Sequence, residues 1–185
     1  MKKRVYVIHG RGADSNSDRF PWVKKTLTTK GMDVIIPNMP NTEVPVIDEW
    51  INFLKDLPMI LDESTYLIWH SIGCQTIMRY LERVEPAKIA WIIFVAGWFT
   101  LKGLGPEELP IAKPWLDEPI NYDKIKDCTE NIVAVFSDND PYVPLENEKL
   151  FKDRLSAKTL MLHNKGHINA EDWVTELPEI LEFIK

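Results

Sequence analysis

Short runs of β-prone residues that alternate with helical patterns limit the fold of this chain more than any other feature. Most runs are apolar throughout, which is typical of strands buried on both faces of a parallel sheet. The six runs lie at residues 5–8, 33–36, 65–69, 88–95, 131–137 and 159–162. We therefore predict an α/β fold in three layers, with a parallel sheet of about six strands and helices on both faces. The run at 88–95 is the most apolar and should lie near the centre of the sheet.

Apolar residues at helical spacing predict helices between these runs and at the end of the chain. The patterns cover residues 20–27, 46–57, 72–81, 145–155 and 173–184, and Pro178 should divide the last of them. From Gly97 to Asp127 neither the strand pattern nor the helical pattern continues, because four prolines interrupt this segment. Two interpretations of this segment stay open, a cover over a functional site and an ordered surface excursion. It is too short for a large cap domain, and we expect residues 1–185 to form a single domain.

The composition excludes several classes of protein. The net charge of −6 argues against a nucleic-acid partner, and no apolar run approaches the length of a membrane span, so neither nucleic acid nor membrane is an expected partner. The cysteines Cys74 and Cys128 lack the spacing of a disulfide framework or a zinc site. We expect a cytoplasmic protein that acts on a small molecule, with no metal and no organic cofactor.

Ser71 lies where the run at 65–69 meets the helical pattern that begins at Ile72. A serine at such a turn exposes its hydroxyl beside the first N–H groups of a helix, as in the nucleophile elbow G-x-S-x-G. Gly73 fits the second glycine of this motif, whereas Trp69 occupies the position of the first. The tryptophan must point away or widen the turn. The alternative is a serine that only caps the helix.

An acid and a base follow later strands, in the order Ser, Asp, His of the α/β-hydrolase triad. Because the carboxyl ends of parallel strands share one edge of a sheet, these groups should meet there. Asp140 is preferred over Asp138, because it lies deeper in a proline-bounded loop that can hold its carboxylate rigidly. His167 is preferred over His163, because Gly166 before it should let the loop swing the ring over the serine.

The loop after the first strand should supply a backbone donor to a developing oxyanion. The N–H of Arg11 is the expected donor, with Gly12 less favoured, and the N–H of Ile72 is the second. A dinucleotide-binding loop is the competing interpretation of Gly10 to Ser15. It fails, since the third glycine is missing and Pro37 follows the second strand where an acidic residue would bind a ribose.

Three aromatic residues follow strands on the same edge and are candidates for substrate binding. Trp98 and Phe99 follow the fourth strand, and Tyr142 follows Asp140. If they line the site, the pocket is shallow and apolar and takes short acyl groups. The alternative for Trp98 and Phe99 is that they pack under the loop as core.

The sequence resembles a known family over nearly its whole length. His70-Ser71-Ile72-Gly73-Cys74, the stretch at 137–144 and Gly166-His167-Ile168-Asn169 are similar to motifs of small serine hydrolases of the retinoblastoma-binding-protein-nine type, which have an α/β-hydrolase fold. The resemblance implies that Ser71 is the nucleophile, Asp140 the acid and His167 the base. Trp69 departs from the small residue that the family has there.

These observations predict a serine hydrolase that cleaves a small carboxylic ester, thioester or amide through an acyl-enzyme. Two alternatives remain open. One is a catalytically weak protein-binding module on a hydrolase scaffold, with an unidentified protein partner, since a fold does not by itself imply a function. The other is an acyltransferase that uses the same three residues.

Overall fold

The computed structural model describes residues 2–184, and its centre is a parallel sheet of six strands. The strand order is β2-β1-β3-β4-β5-β6, and every neighbouring pair is parallel. The strands are β1 (Arg4–Ile8), β2 (Asp33–Ile35), β3 (Thr65–His70), β4 (Trp91–Val95), β5 (Ile132–Ser137) and β6 (Lys158–Leu162). The predicted parallel sheet is therefore confirmed, and the apolar run at 88–95 supplies β4, one of its two central strands.

Helices cover both faces of the sheet, as predicted. They are α1 (Phe20–Thr29), α2 (Ile47–Asp56), α3 (Ile72–Arg83), α4 (Leu109–Asp117), α5 (Tyr122–Cys128) and α6 (Glu146–Leu155). Successive residues of a strand point to opposite faces. Trp69 and Phe94 accordingly belong to the core under α2 to α6, while Ile68 and Ile93 belong to the core under α1 and the C-terminal segment.

The proline-broken segment from 97 to 127 is more regular than the sequence indicates, because it contains α4 and α5. The prolines suggested an irregular stretch, but tertiary contacts hold α4 in place. The buried guanidinium of Arg79 donates to the carbonyls of Trp115 (2.9 Å) and Glu118 (2.8 Å). The Trp115 indole N–H donates to the Pro45 carbonyl (3.1 Å). These bonds satisfy groups at the C-terminal end of a helix that Pro114 weakens.

The prediction of a helical region over 173–184 is wrong for residues 173–177, which form no helix. The structure has a short 3₁₀ helix after them, Pro178–Phe183. Trp173 is 92% exposed with φ 61°, instead of lying on a buried helix face. Leu177, Ile180 and Ile184 still pack on the sheet. These three residues are apolar because they are buried, and not because they lie on one face of an α-helix.

A buried asparagine joins the loops that follow β4 and β5 at the carboxyl ends of the strands. Asn147, near the start of α6, accepts hydrogen bonds from the N–H groups of Phe99 (2.6 Å) and Thr100 (3.1 Å). Its amide nitrogen donates to the carbonyls of Thr100 (3.0 Å) and Pro144 (3.0 Å). One side chain thus satisfies four backbone groups and fixes the segment after β4 to the loop after β5.

We expect Asn147→Leu to lower the free energy of unfolding by about 2–4 kcal/mol, because it leaves buried backbone groups without partners. Urea unfolding followed by circular dichroism measures this loss. The control is Asn52→Leu on the exposed face of α2, which should change stability by less than about 0.5 kcal/mol. Equal losses in the two variants would contradict the role given to Asn147.

Candidate active site

Ser71 occupies the sharp turn between β3 and α3 with a backbone conformation that is rare outside glycine. Its φ is 53° and its ψ is −123°. Strained backbone of this kind is concentrated at functional sites. The Ser71 N–H donates to the Val95 carbonyl (2.9 Å), which ties the turn to β4. Its hydroxyl makes no capping hydrogen bond to α3, so the interpretation of Ser71 as a simple helix cap is wrong.

The two glycine positions of the elbow motif behave differently. A Cβ on Gly73 would lie 2.8 Å from the His9 carbonyl oxygen, so only glycine lets α3 start this close to the end of β1. Trp69 is fully buried in the core and pairs in register with Ile8 and Phe94 of the neighbouring strands. It does not line the cavity above Ser71. Of the two outcomes expected for Trp69, the structure shows that it points away.

The structure brings together three of the predicted residues in one hydrogen-bonded chain. The Ser71 Oγ lies 2.9 Å from His167 Nε2, and His167 Nδ1 lies 2.9 Å from Asp140 Oδ2. The other carboxylate oxygen of Asp140 accepts the N–H groups of Tyr142 (2.8 Å) and Val143 (2.9 Å). Asp140 and His167 are buried, so this chain is shielded from competing water. An imidazole held in this way can accept a proton from the serine hydroxyl.

The competing acid and base pair with each other on the surface. Asp138 Oδ2 lies 2.7 Å from His163 Nδ1, and the His163 side chain is 80% exposed. The Asn164 N–H and the His163 ring hold the pKa of Asp138 below its usual range. Neither Asp138 nor His163 contacts Ser71, which agrees with the preference for Asp140 and His167.

Gly166 has a different role from the one expected, because the loop that it begins is held in place. Its φ is +50°, and a Cβ there would collide with the Asp172 carboxylate. That carboxylate accepts the N–H of His167 (2.6 Å), and the Gly166 N–H donates to Asn139 (2.8 Å). Glycine is therefore needed for a tight turn, and not for a swinging loop.

Gly10, Arg11 and Ile72 line the cavity beside Ser71, where oxyanion donors were predicted. The Gly12 N–H donates to the Thr42 carbonyl (3.0 Å), so of the two candidates in this loop Gly12 is already engaged. Ile72 is the first residue of α3, and its N–H points out of the start of the helix.

His9, a strand-end residue on this edge, holds the same loop. Its Nδ1 lies 2.9 Å from the Gly10 carbonyl, and its Nε2 accepts the Met39 N–H (3.0 Å). Burial lowers the pKa of His9, which favours the neutral ring that these two bonds require. His9 therefore fixes the turn at Gly10 and Arg11 and faces the core, where it meets Trp50 edge-on.

A cavity of about 530 Å³ opens above Ser71 and has one apolar wall. This wall consists of Trp98, Leu101, Leu104, Ile111, Ala112 and Tyr142. Four of these residues lie between 101 and 112, so the segment from 97 to 127 does form part of a cover over the site. Sequence reasoning missed these four, because no periodic pattern distinguishes them from other apolar residues of the segment.

The three aromatic candidates have separate positions. Trp98 and Tyr142 line the cavity, and the Tyr142 ring meets the His167 ring edge-on at 5.3 Å. Phe99 does not line it, which corrects the prediction for that residue. Its ring packs against Phe151 with centroids 4.5 Å apart.

The rim of the cavity is charged and mostly acidic. It carries Arg11 and four carboxylates, those of Asp18, Glu43, Glu108 and Glu171. The Arg11 guanidinium connects two of these residues. It donates to the Glu43 carbonyl (2.8 Å) and lies 3.3 Å from the Glu108 carboxylate. The cavity is therefore apolar on one wall and negative at its edge.

The cysteine beside the serine lies in the core. Cys74 is fully buried, and its Sγ donates to the Trp69 carbonyl (3.1 Å). Burial raises the pKa of the Cys74 thiol, so the thiol stays protonated and unreactive. Among residues 2–184, no helix is long and apolar enough to cross a membrane.

Comparison with known families gives one match over almost the entire chain. A family model described as "Serine hydrolase" matches residues 5–185. The chain is 32% identical over 189 residues to YdeN of Bacillus subtilis (strain 168), a match that covers 100% of this chain and 95% of YdeN. It is 27% identical over 185 residues to the serine hydrolase RBBP9 of Rattus norvegicus, covering 98% and 94% of the two chains.

Solved structures show the same fold. The crystal structure of the ydeN gene product from B. subtilis superposes with a TM-score of 0.90 at 30% identity, covering 99% of this chain and 97% of the other. Est1E from Butyrivibrio proteoclasticus superposes with a TM-score of 0.67 at 18% identity, covering 99% and 88%. At that lower identity, the likeness concerns the fold alone.

Proposed function

The chain belongs to the serine hydrolase family and has the α/β-hydrolase fold, and from this membership we propose that it cleaves a small carboxylic ester, thioester or amide through an acyl-enzyme. The observation that carries the proposal is the continuous hydrogen-bonded chain from Asp140 through His167 to Ser71, with both bonds at 2.9 Å. Trp69 does not disrupt these hydrogen bonds, which argues against a hydrolase scaffold that has lost its catalytic activity.

In the first half of the reaction, His167 Nε2 takes the Ser71 proton while Oγ attacks the substrate carbonyl carbon. The negative charge that develops on the carbonyl oxygen is stabilised by the N–H groups of Arg11 and Ile72. Asp140 holds the imidazole and stabilises the positive charge that forms on it. The bond to the leaving group then breaks, and His167 delivers the proton to the departing alcohol, thiol or amine.

In the second half, water attacks the acyl-enzyme at the same carbonyl carbon. His167 removes a proton from the water and returns it to Ser71 Oγ as the ester bond to the serine breaks. The products are a carboxylic acid and the free enzyme.

The cavity supports a short, uncharged acyl group as the part of the substrate beside Ser71. The apolar wall that includes Trp98 and Tyr142 offers contact to hydrocarbon, and the acidic rim disfavours an acyl group that ends in a carboxylate.

A series of p-nitrophenyl esters tests this proposal. We expect kcat/KM to rise about fourfold for each methylene that enters the cavity, since a buried methylene contributes about 0.8 kcal/mol. The rise should stop near butanoate, and hydrolysis should be blocked by a fluorophosphonate. A rise that continues out to dodecanoate would refute the short acyl site and indicate a lipase-like groove under the segment from 97 to 127.

A matched pair in the same series isolates charge from size. The p-nitrophenyl esters of butanoate and hemisuccinate have acyl groups of the same carbon number, but the second ends in a carboxylate. We expect kcat/KM to be lower for the hemisuccinate than for the butanoate. Glu43→Gln should bring the two kcat/KM values closer together. Because rim charges are exposed, added salt should narrow it as well.

A further inference from the structure

His70 is a buried histidine beside the proposed nucleophile that the mechanism above does not use. It is the last residue of β3 and only 3% exposed. Its Nε2 lies 3.0 Å from the main-chain carbonyl oxygen of His167, and the centroids of the two rings are 5.0 Å apart. The ring of His70 therefore packs beside the His167 ring and has the His167 backbone carbonyl as its hydrogen-bond partner.

The partner of His70 determines which ring nitrogen carries its proton. A carbonyl oxygen only accepts hydrogen bonds, so the proton must be on Nε2. The His70 Nδ1 is buried and has no hydrogen-bond partner among residues 2–184. Burial, with the nearby charge of Arg19 adding to it, lowers the pKa of His70 well below its usual range. His70 is thus a neutral donor and places no positive charge beside the imidazolium that forms on His167.

The backbone around His167 is fixed on several sides by side chains. The Asp172 carboxylate accepts its N–H (2.6 Å), and His70 donates to its carbonyl. The next carbonyl, that of Ile168, accepts a hydrogen bond from the buried guanidinium of Arg19. Ile168 has φ 54°, a conformation that a β-branched residue adopts only under constraint. These contacts determine where the His167 ring stands relative to Ser71 and Asp140.

We propose that His70 is a positioning residue, whose Nε2–H donates to the His167 carbonyl and so holds the imidazole at hydrogen-bonding distance from Ser71. The proposal rests on the function proposed for the Ser71 site. His70 takes no part in proton transfer and acts only through His167. Small displacements of a catalytic group cost much rate, roughly a hundredfold for about 1 Å.

The kinetic test compares two substitutions at this position. His70→Gln keeps an N–H donor of similar reach, and His70→Leu removes the donor while keeping an apolar volume. On p-nitrophenyl butanoate we expect His70→Leu to lower kcat by about 10- to 100-fold, with KM changed less than about twofold. His70→Gln should recover most of the lost kcat. Because His70 also lines the cavity, KM is measured in both variants to show that the loss lies in kcat and not in substrate binding.

A structural role alone would give another pattern. The proposal is overturned if, in both variants, kcat falls in parallel with the urea midpoint of unfolding. It is also overturned if His70→Gln is no more active than His70→Leu. Equal kcat in His70→Leu and the unsubstituted protein also overturns it. His163→Leu, at the exposed histidine, is the matched control and should leave kcat unchanged.

A spectroscopic measurement separates this proposal from the proposed function. In the unsubstituted protein, ¹⁵N NMR should show His70 protonated at Nε2 only, and the His167 Nδ1–H proton should be shifted downfield by Asp140. That downfield signal should persist in His70→Gln and be lost in His70→Leu. If the protein hydrolyses no ester but these signals behave as described, the proposed function fails and the positioning role stands. A His70 protonated at Nδ1 overturns the positioning role whatever the activity.

Discussion

Ser71→Ala is expected to lower kcat/KM for p-nitrophenyl butanoate by at least about 10⁴-fold. The substitution removes the hydroxyl that is proposed to attack the substrate, and losses of this size or larger are typical when the nucleophile of such a site is deleted. The fold should be unaffected, because the hydroxyl bonds only the His167 ring among residues 2–184. A fluorophosphonate should label the unsubstituted protein at Ser71 and leave Ser71→Ala unlabelled.

Cys74→Ala is the matched control, since Cys74 lies one helical turn beyond Ser71. The thiol is fully buried and bonded to the Trp69 carbonyl, so it is inaccessible to the probe. We expect full labelling and near-normal hydrolysis in this variant. Labelling that survives in Ser71→Ala would show that another residue is the nucleophile.

The second large effect is expected at the histidines. His167→Ala should lose nearly all hydrolysis, by about 10⁴-fold or more, because no other base lies within hydrogen-bonding distance of the Ser71 hydroxyl among residues 2–184. His163→Ala should retain activity within about twofold, since its ring is exposed and bonds Asp138 on the surface. Steady-state kinetics on purified variants measure both effects.

Acidification gives an independent check on the base. A base in the role proposed for His167 needs a free Nε2 lone pair, so kcat/KM should fall on acidification. The fall should be the same in His163→Ala as in the unsubstituted protein. If the acidic limb disappears with His163, or if His163→Ala loses more activity than His167→Ala, the two histidines have been assigned in the wrong order.

The residues that meet at the site were predictable because topology, more than local propensity, determines where they lie. Ser71, Asp140 and His167 each follow a strand that is identifiable from a short apolar run, and parallel strands bring their carboxyl ends to one edge. The choice of His167 over His163 also rested on local chemistry. One of its reasons was wrong, because Gly166 forms a tight turn instead of a mobile loop.

Features that depend on tertiary contacts were not predictable in the same way. Helix α4 contains Pro114 and has weak local preference, and it is held by the buried Arg79 and by Trp115. The C-terminal segment has helical spacing but forms only a 3₁₀ turn, with Trp173 in solvent. In both cases packing overrides the local pattern.

The separation of Trp98 from Phe99 has a local cause that the sequence does not display. Ala96 has φ 47°, which turns the chain as it leaves β4. The direction of the next side chains depends on this turn, and no residue type at 96 signals it. His70 was overlooked as well, because a single histidine at a strand end has no periodic pattern, and only its contact with the His167 carbonyl shows what it does.

The strand that carries the histidine loop lies at the edge of the sheet, and this position has a consequence for inactivation. β6 has one neighbour, β5, and most of its residues are only partly buried. Such edges open at a lower free energy than the central strands, without unfolding of the whole domain. An opening that extends into the following loop and breaks its hydrogen bonds to His70 and Arg19 carries His167 away from Ser71, while the elbow between β3 and α3 stays folded. In mild denaturant, activity should therefore be lost when this edge opens. The loss should occur at a lower denaturant concentration than the cooperative unfolding of the core.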